Sequence, residues 1–595
     1  MPALKLRNFG GMIPALDSRL LPDNQAELSE NTWVYTGALQ GFRKPVPIHN
    51  CASDLIRKVY RIPIQYYDKA HIPDSYWLEF ENPDTDVVRS PTVGDQYDRY
   101  YWASSQSFSQ IKPQYNTRAR IAAGSPSYTL GIPAPTVAPT IGTVTGSDPK
   151  EDRSYVYTWV SAFGEEGPPS PPSAVTHGHS VGTWPITLTA PTSADTTNRN
   201  LATVNIYRTV TGSSGAASFF FVASVPVGTT LYNDSILSTV VTANKILEST
   251  YWTAPPTDLE GMVTMPNGII AGWRQNEIWF CEPYRPHAWP VAYTNAVEFP
   301  VVGCGVIGQT LIVCTTGSPY AISGVNPGTM TVSRVAAFEP CLSRGSILST
   351  PIGVAYASSN GLALAVPGAV SVISRSMITK DIWQDLLNLE TLRAAPLNGG
   401  YYCWGSVRPG CFEETAFETP AFLQDDYTGS YTGAFIDASN QRVSFNRLTD
   451  VDPTFNVTTD HWTGEVFVIR EGVVYWVDVS ETREHGDYIW KSKVFEMPNR
   501  RNLEAMRVWF DTFSDTPALN PVPVVSPTTL QPDMYGIVRV YADGVLRLSR
   551  EIRTTGEFIR LPSGFKAQYW QVEIEGRVQI NEIEVATTAK ELTSV

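Results

Sequence analysis

Gly353-Val354-Ala355-Tyr356-Ala357, a turn at Ser359-Asn360-Gly361, then Leu362-Ala363-Leu364-Ala365-Val366: this stretch reads as two short apolar strands around a Gly/Asn turn. The same grammar recurs on either side of it. Ile269-Ile270-Ala271-Gly272-Trp273 turns at Gln275-Asn276 into Glu277-Ile278-Trp279-Phe280-Cys281, and Leu311-Ile312-Val313-Cys314 is followed by Pro319-Tyr320-Ala321-Ile322. Further on, Glu465-Val466-Phe467-Val468-Ile469-Arg470 turns at Glu471-Gly472 into Val473-Val474-Tyr475-Trp476-Val477. Hairpins at blade-like spacing with varied sequence between them predict a divergent β-propeller. One helix interrupts it, with Ile382-Trp383 and Leu386-Leu387 as its apolar stripe and Thr379 as N-cap.

Working outward, residues 58–133 alternate in the strand manner, as in Tyr76-Trp77-Leu78-Glu79-Phe80 and Asp98-Arg99-Tyr100-Tyr101-Trp102, and supply a further blade. A Pro-rich connector, Ile132 to Thr140, leads into a segment with immunoglobulin- or fibronectin III-like grammar. Its strands are Tyr155–Ala162, Ile186–Leu188, Val204–Arg208 and Phe219–Ala223, with an acidic turn at Gly164-Glu165-Glu166-Gly167. Bounded by linkers, it should fold alone, and its removal should leave the blades intact. The last hundred residues return to strand register, with Val538-Arg539-Val540-Tyr541 and Val545-Leu546-Arg547-Leu548 joined at an Asp543-Gly544 hairpin turn. The expected class is all-β and multi-domain. Residues 1–50 form an arm and helix, 51–139 the first propeller segment, 140–255 an inserted sandwich, 256–490 the remaining blades and 491–595 a C-terminal β-sandwich.

Composition sets the outer bounds. The chain has 595 residues with 17% charged and 11% aromatic side chains, 45 Pro and 43 Gly, too apolar for disorder and too turn-rich for a helical protein. Its formal charge of −14 excludes an ordinary nucleic-acid binder, which needs a basic stripe. Seven cysteines with no CxxC pair read as small buried hydrophobes, not as a disulfide frame or zinc site. Neither a secretory signal nor a membrane span is expected.

The first fifty residues carry a distinctive order: Asn8-Phe9-Gly10-Gly11-Met12-Ile13, then Asp17-Ser18-Arg19-Leu20-Leu21-Pro22-Asp23, then Gln25-Ala26-Glu27-Leu28-Ser29-Glu30-Asn31, and last Trp33-Val34-Tyr35-Thr36-Gly37-Ala38-Leu39-Gln40-Gly41-Phe42-Arg43-Lys44. Physically it reads as an extended arm, a helix with Pro22 in its first turn, and a strand. This segment, and the Trp77 to Trp102 region, resembles the nozzle (tail tubular B) proteins of short-tailed phages. The resemblance implies a virion tail component made in the host cytoplasm: a homohexameric ring whose channel conducts genomic DNA without sequence-specific binding. It further implies that the chain ends form a platform docked on a tail adaptor protein, with tail fibres or tailspikes as further partners.

Chemistry-bearing patterns are few. Gly303-Cys304-Gly305-Val306-Ile307-Gly308 spells GxGxxG but runs into a strand, so it reads as inter-blade turn glycines instead of a dinucleotide fingerprint. His177 and His179 flank Gly178 without a third ligand and read as a solvated loop; His287 and His461 read as packing residues. Acid pairs at Asp84-Asp86, Asp425-Asp426 and Asp450-Asp452 read as Asx-rich turns, although calcium or a glycosidase pair would use the same residues. No nucleophile stands with a base, so neither catalysis nor a metal or cofactor is expected. Candidate gate loops are Asp84, Asp86, Glu413, Glu414 and Glu418; candidate adaptor-docking residues are Arg43, Lys44, Arg500 and Arg501. The competing function is a carbohydrate-binding or carbohydrate-degrading tail protein acting on the host surface, with a surface adhesin as a third.

Overall fold

The computed structural model describes residues 4–34, 36–64, 72, 74–105, 112–210, 218–406, 431–437, 444–449, 456–478, 485–511 and 535–593. They form an all-β, multi-domain fold made of many separate sheets. Among them are six four-stranded antiparallel meanders that begin at Thr85–Arg89, Gly261–Met265, Val301–Ile307, Leu348–Thr350, Arg393–Leu397 and Asn456–Thr459. A two-stranded hairpin, Lys58–Ile62 with Tyr76–Phe80, joins them. The first strand of each meander lies against the first strand of the next, and Asn456–Thr459 lies against the hairpin strand Lys58–Ile62. The last of these meanders takes its fourth strand, Val46–Asn50, from near the N-terminus.

The continuous apolar runs follow from this stacking, because each sheet is covered on both faces. Along Gly353–Ser358, Val354 and Tyr356 pack with Ile312 and Cys314 on one side, while Ala355 and Ala357 face Met377 and Trp383 on the other. The turns obey their residues. Asp543 (φ 49°) and Gly544 (φ 78°) close their hairpin with two positive φ angles, as do Glu471 (φ 44°) and Gly472 (φ 75°). The helix falls at Lys380–Leu386, where the Thr379 hydroxyl accepts from the Ile382 N–H.

Residues 26–30 form a strand, Ala26–Glu30, where the sequence suggested a helix. Pro22 begins a tight turn that Gln25 N–H closes on the Pro22 carbonyl, and only Ala26 and Leu28 offer apolar surface, too little for a helical stripe. Two sheet edges compete for this backbone instead. The strand runs antiparallel to Tyr488–Ser492 and bridges in parallel from Glu30 to Arg447, so it welds two half-sheets into one ten-stranded sheet. Gly11 is required there: a Cβ would meet the Phe445 carbonyl oxygen at 2.8 Å and Asn446 Oδ1 at 2.5 Å. Ser29 and Thr32 join Asn446 in a buried hydroxyl–amide cluster at the weld.

The chain ends share one body. Leu4–Leu6 pairs with Ile580–Ala586, and that sheet packs on the C-terminal half of the ten-stranded sheet through Leu6, Trp490, Met506, Val540, Trp570 and Val585. The N-terminal arm is thus part of the C-terminal sandwich. The inserted sandwich pairs a sheet of Tyr155–Ser161, Leu201–Thr209 and Phe219–Pro226 with one built on the twelve-residue strand Thr176–Thr187. Its core draws only on residues 132–236.

Candidate functional site

A cavity of about 880 Å³ lies where the first strands of the meanders and the Lys58–Ile62 hairpin strand converge. Charged groups bridge it. Asp84, in the turn before Thr85–Arg89, pairs with Arg393 from another sheet, and Asp86 accepts from Arg344 Nη2 at 2.5 Å and from Met262 N–H at 3.2 Å. Arg344 also donates to the Glu260 carbonyl oxygen at 2.9 Å. The arginine contacts join sheets that are not neighbours in sequence order, so they tie the assembly across its middle. Burial works to raise the Asp84 carboxyl, but the Arg393 and Arg344 guanidiniums outweigh it and hold it below the usual carboxylate range. Lys58, whose Nζ donates to Thr458 Oγ1 at 3.3 Å, is pulled down by burial, with Arg393 and Arg344 adding to the effect and Asp86 opposing it. Beside them Asp460 and Arg61 form a buried pair at 2.6 Å.

The chemistry of this arrangement is cohesive. Each of these three carboxylates is already engaged by an arginine, and Ser349 Oγ already accepts the Val306 N–H. Asp84 and Asp86 therefore sit as ion-paired wall residues. Glu413, Glu414 and Glu418, with Asp425, Asp426, Asp450, Asp452 and Cys411, lie outside the described residues.

The four basic candidates fall at two separate places. Arg43 faces a second cavity, of about 440 Å³, with Asp478 and His485, and Lys44 follows it near Asp487. Arg500 and Arg501 end the strand Phe495–Arg501, where Arg501 is opposite Ala567. Tyr488, next to Asp487, is opposite Gly576, at the far end of the same ten-residue strand. That separates the two pairs by about 30 Å.

Gly303 and Gly305 lie within the strand Val301–Ile307, and only Gly308 (φ 57°) is at a turn, one inside its own sheet. A Cβ at Gly303 or Gly305 would press on Ile347 or Val354 of the next sheet, so these glycines permit close sheet stacking. His177 and His179 lie on the strand Thr176–Thr187, not in a loop, and His177 pairs with Asp152 at 2.8 Å.

Two polar clusters could not be foreseen from local sequence. At the junction between the inserted sandwich and the first meander, Arg99 contacts Glu165 at 2.6 Å and Asp95 at 2.7 Å. His287, 5% exposed, stands 3.8 Å from Glu165. Burial lowers its imidazole to about 3, with Arg285 and Arg99 adding to the shift. An unfolded histidine titrates near 6.5. The folded value is the lower one, so the stability it contributes is full above about pH 6.5 and is lost as pH falls toward the folded value. Urea midpoints should therefore drop between about pH 6.5 and pH 4 in the native chain and drop less in His287→Gln. Parallel pH profiles for the two proteins would contradict this.

The second unforeseen group is His49, Cys51 and Glu79, whose ligand atoms lie within 4.8 Å of one another. Cys51 is half-buried, unlike the fully buried Cys281, Cys314, Cys341 and Cys403. A His-x-Cys spacing is its only trace in the sequence. No helix among the described residues is long and apolar enough to cross a membrane.

No protein-family model and no curated protein matches the chain. Among solved structures, similarity is found to a crystal structure of BBS1N in complex with ARL6DN, at 10% identity and TM-score 0.24 over 51% of this chain and 89% of that one. The N-terminal domain of Nup159 gives 8% identity and TM-score 0.24 over 46% and 86% of the two chains. PorZ of Porphyromonas gingivalis gives 10% identity and TM-score 0.19 over 60% and 51%.

Proposed function

We propose that this chain is a structural subunit of a short phage tail, a nozzle ring that forms the distal DNA-ejection channel and docks on a tail adaptor, and that it has no catalytic role. The observation that carries the reading is the joint body of the two chain ends. The resemblance over residues 1–50 implies a platform made by the chain ends, and here Leu4–Leu6 and Ala26–Glu30 are each built into sheets with strands from residues 485–586. Two further features support it. Among the described residues the ten-stranded sheet ends on Val545–Glu551, an exposed strand paired there on one side, which offers a row of backbone groups to a neighbouring subunit. The cavity inside each chain is bridged by ion pairs, so the DNA path in this reading runs between subunits, on the ring axis. The ionised carboxylates of an acidic chain would then let a polyanion slide without phosphate pairing.

Closed symmetry buries such heterologous surfaces without making fibres. Symmetry averaging of the intact tail should return six copies of the chain, and the isolated ring should have six times the 65.6 kDa chain mass. One central copy, or three, would remove the nozzle assignment.

A further inference from the structure

We propose that His49, Cys51 and Glu79 form a zinc site that clamps two adjacent sheets together. The donors arrive from separate elements. His49 is on Val46–Asn50, the added outer strand of the meander that contains Val466–Arg470 and Val473–Trp476; Cys51 follows that strand directly; Glu79 is on Tyr76–Phe80 of the neighbouring hairpin. Their side-chain donor atoms nevertheless converge to within 4.8 Å. One thiolate, one imidazole and one carboxylate are a donor set that zinc accepts, and three protein ligands leave one position for water.

The surroundings hold the donors in place. His49 Nε2 lies 2.7 Å from Glu79 Oε1, so a shared proton now occupies the place a cation would take. The other carboxylate oxygen, Oε2, accepts the Ala52 N–H at 2.8 Å, which fixes the carboxylate plane. Trp77 stacks on the His49 ring with centroids 4.8 Å apart and planes 13° from parallel, which fixes the imidazole. Cys51 N–H donates to the Gly472 carbonyl oxygen at 2.8 Å, anchoring the residue that follows the strand. Tetrahedral zinc bonds of about 2.0–2.3 Å need the imidazole and carboxylate to part by well under 1 Å, a side-chain rotation. Ile48, Cys51 and Trp77 border a core with Phe467 and Ile469, so one face of the site is dry and the other open to solvent. Val46–Asn50 is the last strand added to its sheet, and a metal bridge to the hairpin would fasten it.

The test uses the full-length chain and Zn²⁺ itself. Metal-free protein is titrated with zinc in parallel with Cys51→Ser and His49→Gln, and Co²⁺ is then substituted to read thiolate ligation by its charge-transfer absorption. The native chain should bind one more zinc per chain than either variant, with affinity at the site lowered at least about 100-fold by Cys51→Ser. Cobalt bound to the native chain should show a thiolate band that Cys51→Ser lacks. Zinc should raise the native unfolding temperature and leave that of Cys51→Ser unmoved, a comparison made only after both proteins give the same circular dichroism. Equal zinc stoichiometry and affinity in native and Cys51→Ser chains, or cobalt binding without the thiolate band, would overturn the proposal and leave a His49–Glu79 hydrogen bond beside a half-buried thiol.

Discussion

Asp234→Ala is expected to unfold the inserted sandwich while the meanders that make no contact with it stay folded. Asp234, Arg153 and Arg208 are 0%, 1% and 0% exposed, and both guanidiniums converge on the one carboxylate, Arg153 at 3.3 Å and Arg208 at 3.1 Å. Tyr155 OH donates to the same oxygen at 2.7 Å, and Ile236 N–H to the other at 2.9 Å. Glu151 supports Arg153 from the rim of the cluster, while Arg153 lies over the Trp184 ring at 4.5 Å. Two cations buried around one carboxylate tolerate no deletion of that carboxylate. Its loss leaves uncompensated buried charge and costs about 3–5 kcal/mol, a large part of the stability of any single domain. Calorimetry of the full-length variant should show one transition displaced downward by more than about 15 °C. Limited proteolysis should map the first new cleavages to residues 140–240. Asp234→Asn, which keeps an acceptor for Tyr155 and Ile236 but removes the charge, should fall between the two. A shift of only one or two degrees in Asp234→Ala would mean that Glu151 alone neutralises both arginines.

That cluster marks the boundary of what the sequence discloses. Local rules were legible wherever one residue or one short run decides the outcome: Asp543-Gly544 demands its hairpin, Thr379 caps its helix, and the run from Val354 to Ala365 can only be a sheet covered on both faces. Long-range pairing was not. Ala26–Glu30 is a strand because Ser492 and Arg447, more than four hundred residues away, supply its edges, and no window around Pro22 contains that information. The same holds for the candidate sites. Asp84 and Asp86 look like turn acids until Arg393 and Arg344 are brought to them by topology. Arg153 and Asp234 stand 81 residues apart, and the 9-residue strand Thr145–Arg153, with its acids, lysine and proline, has no apolar alternation to announce it. His49, Cys51 and Glu79 carry ordinary sequence surroundings, and only the addition of Val46–Asn50 to a distant sheet makes them neighbours.

Cutting out the sandwich, residues 140–252 replaced by a short Gly/Ser linker, should damage the first meander, contrary to the independence that the linker-bounded sequence suggests. The dependence runs one way. Apart from Ile132 of the connector, the sandwich core lies within residues 140–252, so a module excised from residue 132 onward should keep a cooperative transition of its own. The meander, however, borrows from the sandwich. Phe163, at the tip of the loop after Tyr155–Ser161, packs against Tyr97 at 4.5 Å between ring centroids, and against Tyr115 and Tyr128 at about 6 Å. Glu165 supplies one of the two carboxylates around Arg99, which is 8% exposed, and Arg199 donates to the carbonyl oxygens of Leu130 and Gly131. Burial opposes the Arg99 charge, and Tyr101, Glu165 and Asp95 together outweigh it, holding the guanidinium above its ordinary range. Deletion removes one of those carboxylates and uncovers three tyrosines. A loss of about 3–5 kcal/mol in that sheet follows from the lost aromatic cover of Phe163, with Arg99 left to Asp95 alone once Glu165 is gone. Amide exchange along Arg99–Ser104 should accelerate at least about 100-fold, while strands such as Gly353–Ser358, which touch neither Phe163 nor Glu165, keep their protection. The point variant Phe163→Ala in the full chain should reproduce part of the effect in the same sheet and nowhere else. Unchanged exchange at Arg99–Ser104 in the deletion would show that the meander closes its own core, and the sandwich would then be an ornament on that meander instead of a brace for it.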